Sequence, residues 1–209
     1  MAPALNRAKA VTGFTLLELL TTLAVIGVVL CLGDWGAGYW LRNWQVDRAA
    51  QQVYEDIKRA QAVAEQSGNL TLVNGSLLDQ RSFLVFEPDQ SAYSLYHWRD
   101  GDQDGEPELT ESQQVWSRQL PKGVRFELAP GIDRKACSNQ SGTSSSTVSF
   151  ASPAYPHCHD QPCIKFDHQG FSVIGPGAVY LSDGRRSMAL TLTRPGHVTL
   201  CRWNGTEWQ

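Results

Sequence analysis

An apolar run that holds a single carboxylate constrains this chain more than any other stretch. Residues Gly13-Phe14-Thr15-Leu16-Leu17-Glu18-Leu19-Leu20 lead into Leu23-Ala24-Val25-Ile26-Gly27-Val28-Val29-Leu30-Cys31-Leu32. From Phe14 to about Trp40 the residues are mostly apolar, the length a helix needs to cross a bilayer. Glu18 stands inside that run, and a charge at such depth costs roughly 2.5 to 3.5 kcal/mol or more unless a partner meets it. An ionisable residue there points to function, against the simpler readings of a secretory signal peptide or a plain anchor.

Processing follows from the order of the pieces. Met1 to Gly13 carries Arg7 and Lys9 and no acidic residue. A secretory signal has its apolar core before the cleavage site; here the plausible small-residue cut, after Gly13, precedes the apolar core. Such a cut leaves the apolar segment on the mature protein as an anchor. The basic residues place the leader in the cytoplasm and send the remainder outward. Gly33, Gly36 and Gly38 around Asp34 weaken the helix near its outer end. Trp35, Tyr39, Trp40 and Trp44 suit a membrane interface, or else packing beneath a globular domain.

Past Arg42 the pattern turns amphipathic. Val46, Ala50, Val53, Ile57, Ala60 and Ala64 recur at helical spacing, with Asp47, Arg48, Glu55, Asp56, Lys58, Arg59 and Glu65 largely between them. One apolar stripe of this kind lies against a sheet or another helix. Ser67-Gly68-Asn69 ends it. One continuous helix then carries a membrane half and an amphipathic half.

After Gly68 the period becomes two. Runs at Leu70 to Val73, Ser82 to Phe86, Tyr93 to Trp98, Gln114 to Trp116, Val124 to Leu128, Thr147 to Phe150, Ile164 to Phe166, Ala178 to Leu181, Ser187 to Thr193 and His197 to Trp203 read as strands. Turn residues separate them, among them Pro121-Lys122-Gly123, Ser182-Asp183-Gly184 and Arg194-Pro195-Gly196. The expectation is an α+β protein: a long N-terminal helix, transmembrane then amphipathic, packed on a C-terminal antiparallel β domain. Its parts are a leader at 1–13, the membrane half at 14–40, the amphipathic half at 41–67 and a β-rich domain at 68–209.

Gly13-Phe14-Thr15-Leu16-Leu17-Glu18 resembles the type IV prepilin signal. The resemblance implies a prepilin peptidase that cuts after Gly13 and methylates Phe14, and an assembly role for Glu18, the fifth residue of the mature chain. The later part resembles the GspH/FimT family of minor pilins and pseudopilins through Ile164-Lys165-Phe166-Asp167-His168-Gln169-Gly170, Ala178-Val179-Tyr180-Leu181 and Ala189-Leu190-Thr191-Leu192-Thr193. That family's fold puts two small sheets on the helix. It implies a protein of the bacterial inner membrane with its C-terminal domain in the periplasm. The partners are other minor and major pilins or pseudopilins in a type II secretion pseudopilus or a type IV pilus. The N-terminal amine of one subunit would meet Glu18 of a neighbour, each relieving the other's burial cost.

Three further stretches carry chemistry. Asp100, Asp102, Asp104, Glu106, Glu108 and Glu111 fall at the ligand positions of an EF-hand loop, with Gly105 at the turn, so calcium is one reading and an ion-free acidic hairpin tip the other. Cys137, Cys158, Cys163 and Cys201 suit two disulfides in an oxidising compartment, in any of three connectivities. His157-Cys158-His159 with Cys163 also reads as a zinc motif. Arg185, Arg186, Arg194 and Arg202 would serve a DNA-binding pilus tip if they shared one exposed face. Against that, Arg194-Pro195-Gly196-His197 lacks the Gly-Arg-x-Arg pattern of some DNA-binding members. Removing the leader takes two positive charges from a formal −3 and leaves −5, which disfavours nucleic acid.

No Gly-x-Ser-x-Gly, His-Glu-x-x-His or phosphate loop is present. A non-catalytic assembly protein with no required cofactor leads, ahead of a tip DNA binder and an anchored periplasmic enzyme.

Overall fold

The computed structural model describes residues 15–67, 70–73, 76–79, 82–98, 102, 109–138, 140–142, 146–150, 158 and 160–209. The chain divides into two compact units, Met1–Arg42 and Asn43–Gln209. One helix, α1 (Leu16–Ser67, 52 residues), contributes to both. It ends at Ser67, as the Ser-Gly-Asn sequence predicts.

In the second unit the stripe on α1 is the centre of the core. Val46, Ala49, Ala50, Val53, Ile57, Ala60 and Ala64 are all buried. Small residues at four of these positions let sheet side chains approach the helix backbone closely. β1 (Leu70–Val73) and β2 (Ser76–Asp79) pair as a hairpin. β3 (Ser82–Glu87), β4 (Ala92–Trp98), β5 (Ser112–Gln119) and β7 (Cys163–Lys165) form one antiparallel sheet in the order β5-β4-β3-β7. β6 (Arg125–Phe126), β8 (Gly177–Ser182), β9 (Ser187–Leu192) and β10 (Val198–Arg202) form the other, in the order β10-β9-β8-β6. The fold is α+β with two four-stranded antiparallel sheets against one helix.

Alternation decides what each sheet face does. Leu84 and Phe86 of β3, Val179 and Leu181 of β8, and Met188, Leu190 and Leu192 of β9 join the helix stripe in one cluster. Their neighbours point the other way and are buried too. Phe83 and Val85 pack with Trp98, Cys158 and Cys163. Ala178, Tyr180 and Ala189 pack with Ile132, Ala136, Cys201 and Trp208. The inner strands β3, β8 and β9 are therefore covered on both faces, which explains their nearly continuous apolar runs, while the edge strand β5 keeps exposed polar residues.

Two disulfides fasten the outer covers. Cys137 is bonded to Cys201 of β10, with Cα atoms 5.5 Å apart, and Cys158 to Cys163 of β7, 6.0 Å apart. Of the three connectivities open to the sequence, this one ties each cover to its own sheet.

Some strand expectations change. Thr147 to Phe150 is not a strand but holds one bridge, Val148 to Val179. Ser149 explains this, because its hydroxyl accepts from the Ala178 N–H at 2.8 Å and replaces a ladder bond. β2 was not expected: Leu77 and Leu78 stand side by side and break the alternation that reveals a strand. β6 is only two residues of the expected Val124 to Leu128.

Candidate functional site

The first turn of α1 is built by its own sequence. Thr15 caps it: its hydroxyl accepts from the Glu18 N–H at 3.3 Å, and its carbonyl accepts from the N–H groups of Glu18 and Leu19 at 3.1 and 3.2 Å. A carboxylate in the first turn also suits the positive end of the helix dipole. Thr21 and Thr22 donate back to the carbonyls of Glu18 and Leu19. Their hydroxyls are thus spent on the helix itself, and Glu18 is the ionisable group of this stretch.

Around Glu18 the helix is otherwise mostly apolar, with Thr15, Thr21 and Thr22 as its polar neighbours one turn away. Leu16, Leu17, Leu19, Leu20, Leu23, Val25, Ile26, Val28, Val29 and Leu30 are each more than half exposed. At about 100° per residue they spread around the circumference, and the face that bears Glu18 also carries Thr15, Thr21 and Thr22, whose hydroxyls are engaged with the helix backbone. Each withholds about 1.5–3 kcal/mol of burial free energy until an apolar medium or a neighbouring helix covers it. Among the described residues no helix is long and apolar enough to cross a membrane. The expected leader, the expected cut after Gly13 and the expected methylation of Phe14 lie outside the described residues, and so do the side chains of residues 31–43, which take in the last ten positions of the expected membrane half.

Arg185, Arg186 and Arg202 gather at one end of β9, and Arg194 does not join them. Arg202 meets Asp47 of α1 at 2.8 Å and Arg186 meets the same carboxylate at 3.7 Å. Arg185 lies beside Arg186 in the β8–β9 turn, where the Asp183 carboxylate accepts both backbone N–H groups at 2.8 Å. Arg194 sits in the turn at the other end of β9. It lies eight positions beyond Arg186, with the six residues of β9 between them, about 26 Å at the usual rise.

The cysteines of the zinc reading are consumed by the Cys158–Cys163 disulfide, and His157 and His159 lie outside the described residues. Of the acidic loop, Asp100, Asp104, Glu106 and Glu108 lie outside as well, and Asp102 is exposed. Glu111 accepts a hydrogen bond from the Trp98 indole at 3.1 Å. Among the described residues no group of three or more His, Cys, Asp or Glu side chains is placed to hold a metal.

Inside the second unit α1 carries a carboxylate where an apolar residue is expected. Asp56 is 3% exposed. The Tyr93 hydroxyl donates to it at 2.8 Å and Arg118 of β5 reaches it at 3.3 Å, with its guanidinium over the Trp116 ring. Burial first, then the hydrogen bond to Asp56 and its charge, push the Tyr93 hydroxyl far above the usual phenol range, with Arg118 pulling the other way. Nine residues separate Asp47 from Asp56, which puts them on opposite sides of the helix. Each is held by an arginine from the edge strand of a different sheet, Arg202 of β10 and Arg118 of β5.

No protein-family model matches the chain, and no curated protein matches it. Among solved structures it is similar to the minor pseudopilin EpsH from the Type 2 Secretion System of Vibrio cholerae. The likeness has a TM-score of 0.44 at 12% identity and covers 75% of this chain and 95% of that one.

The sequence reading placed Asp56 among the solvent-facing polar residues. The signal was present: Val46, Ala49, Val53, Asp56 and Ala60 alternate spacings of three and four, so Asp56 occupies a core register. Charge alone argued it outward.

Proposed function

We propose that this chain is a minor pseudopilin or pilin: a non-catalytic subunit that helps initiate or cap a type II secretion pseudopilus or a type IV pilus. The observation that carries the reading is the start of α1, a capped helix that exposes ten large apolar side chains between Leu16 and Leu30 and carries Glu18 as its one charge there. Such a surface is stable only in a bilayer or in a bundle of like helices. In a bundle, the amine created by cutting after Gly13 is the natural partner for Glu18. A subunit displaced along the axis leaves both charges unpaired at several kcal/mol each, so the pair selects register as well as affinity. The β domain, held to the helix by Asp47 and Asp56, then gives the subunit its identity on the periplasmic side of the inner membrane. The EpsH likeness agrees with this reading without deciding it.

The test separates insertion from assembly. With Glu18→Ala, membrane fractionation should be unchanged while co-purification with neighbouring prepilin-like subunits falls sharply. Unchanged co-purification would refute the role of Glu18. Mass analysis of the mature chain should find Phe14 as a methylated N-terminus, and a mature chain that starts elsewhere would remove the amine from the argument.

A further inference from the structure

A groove at the β8–β9 turn end of the second sheet has no part in the proposed function. It encloses about 410 Å³ and is lined by Arg185, Ser187, Trp203 and Asn204 together with the turns at Pro130-Gly131, Gly184 and Gly205. That volume is within the range of small-ligand sites. Its chemistry is one-sided. The Asp183 carboxylate is turned back onto the N–H groups of Arg185 and Arg186. The Asn204 carbonyl oxygen is turned back onto Thr206 and the N–H of Glu207. The side-chain acceptors of Asp183 and Asn204 are thus engaged within their own turns. The guanidinium of Arg185 has no ion pair among the described residues, and it and the Asn204 amide N–H groups remain for a guest, beside the indole of Trp203.

Charge narrows the guest. Arg186 and Arg202 are engaged by Asp47, and Arg185 is the charged side chain that lines the groove, so the site suits a single negative charge better than a polyanion. A planar carboxylate matches the guanidinium fork. Gly131, Gly184 and Gly205 all have positive φ, and a Cβ at any of them would meet nothing within 4 Å. Main chain is therefore open to approach at three walls, which suits a peptide backbone. We propose that the groove captures the free carboxyl terminus of a partner polypeptide whose last side chain is aromatic, with the carboxylate on Arg185 and the ring on Trp203. The proposal is independent of the role assigned to Glu18.

The experiment uses the full chain in detergent micelles and follows the indole N–H resonance of Trp203, identified by its loss in Trp203→Phe. Acetyl-glycyl-phenylalanine should shift that resonance with a dissociation constant near ~1 mM, and the same peptide as its C-terminal amide should not. Arg185→Gln, at an exposed position that leaves the fold intact, should weaken binding about tenfold, the equivalent of about 1.4 kcal/mol. Equal shifts from acid and amide, or unchanged affinity in Arg185→Gln, would overturn the proposal. So would a response to trimeric glucuronate with none to the peptide acid, which would make the groove a saccharide site.

Discussion

Removing the hydroxyl of Tyr93 is the sharpest test of how α1 is held. Tyr93→Phe keeps the ring, which packs 6.1 Å from Phe86, 5.8 Å from Trp116 and 6.4 Å from Phe126 between centroids. Only the 2.8 Å hydrogen bond to the Asp56 carboxylate is lost. A hydrogen bond to a charged group is worth about 1.5–3 kcal/mol, and the acceptor here stays buried with one donor fewer. The expected loss is therefore about 2 kcal/mol. Arg118→Gln should cost less, about 1 kcal/mol or under, because the Arg118 side chain is 37% exposed and water screens its pair with Asp56. Urea unfolding of residues 43–209, the compact second unit, measures both, and the double variant measures their coupling through Asp56. If Arg118→Gln costs more than Tyr93→Phe, the claim that Tyr93 is the main partner of Asp56 fails.

The same residue sets an alkaline limit. Tyr93 titrates above its ordinary 10.0 in the folded protein, so its contribution is complete below pH 10.0 and is lost as pH rises from there toward the folded value. The loss approaches about 1.4 kcal/mol per pH unit. Tyr96 and Tyr180 are raised by burial and act in the same direction. Tyr93→Phe should flatten this dependence, and an unchanged slope would show that Tyr93 is not responsible.

Loop length ranks the disulfides. Replacing Cys137 and Cys201, 64 residues apart, should cost about 4 kcal/mol and replacing Cys158 and Cys163, 5 apart, about 2 kcal/mol; equal midpoint shifts in denaturation would contradict the chain-entropy account. Gly196→Ala should destabilise by more than about 2 kcal/mol, since φ is +82° and a Cβ there would meet the Gly170 carbonyl oxygen. A wild-type midpoint in that variant would show that the turn rearranges freely. If the acidic loop takes up calcium, the ion recruits Glu111 and the Trp98 indole loses its acceptor; calorimetry with a Trp98 fluorescence titration reads this, and no heat at millimolar calcium removes the site.

The apolar start of α1 with its single Glu18 was legible because composition along one helix is a local property; the Thr15 cap, visible in the structure, was not read from the sequence. The stripe from Val46 to Ala64 was legible for the same reason, since period and burial coincide along one helix. The disulfide pairing was not, because cysteines distant in sequence are matched only once the covers fold back onto the sheets. Nor was the separation of Arg194 from the other three arginines, which depends on which end of β9 each turn occupies. β2 was missed where adjacent leucines break the alternation, and the strand expected at Thr147 to Phe150 shrinks to one bridge where the Ser149 hydroxyl replaces a ladder bond.

By itself, the sequence determined that a mostly apolar helix with one carboxylate near its start would precede an amphipathic stretch and a run of strands, because these follow from neighbours along the chain. Only the tertiary structure decided that Asp56 belongs in the core. Its charge becomes tolerable there because Tyr93, 37 residues away, and Arg118 from the edge of the sheet are brought to it. No local pattern records donors that arrive from elsewhere.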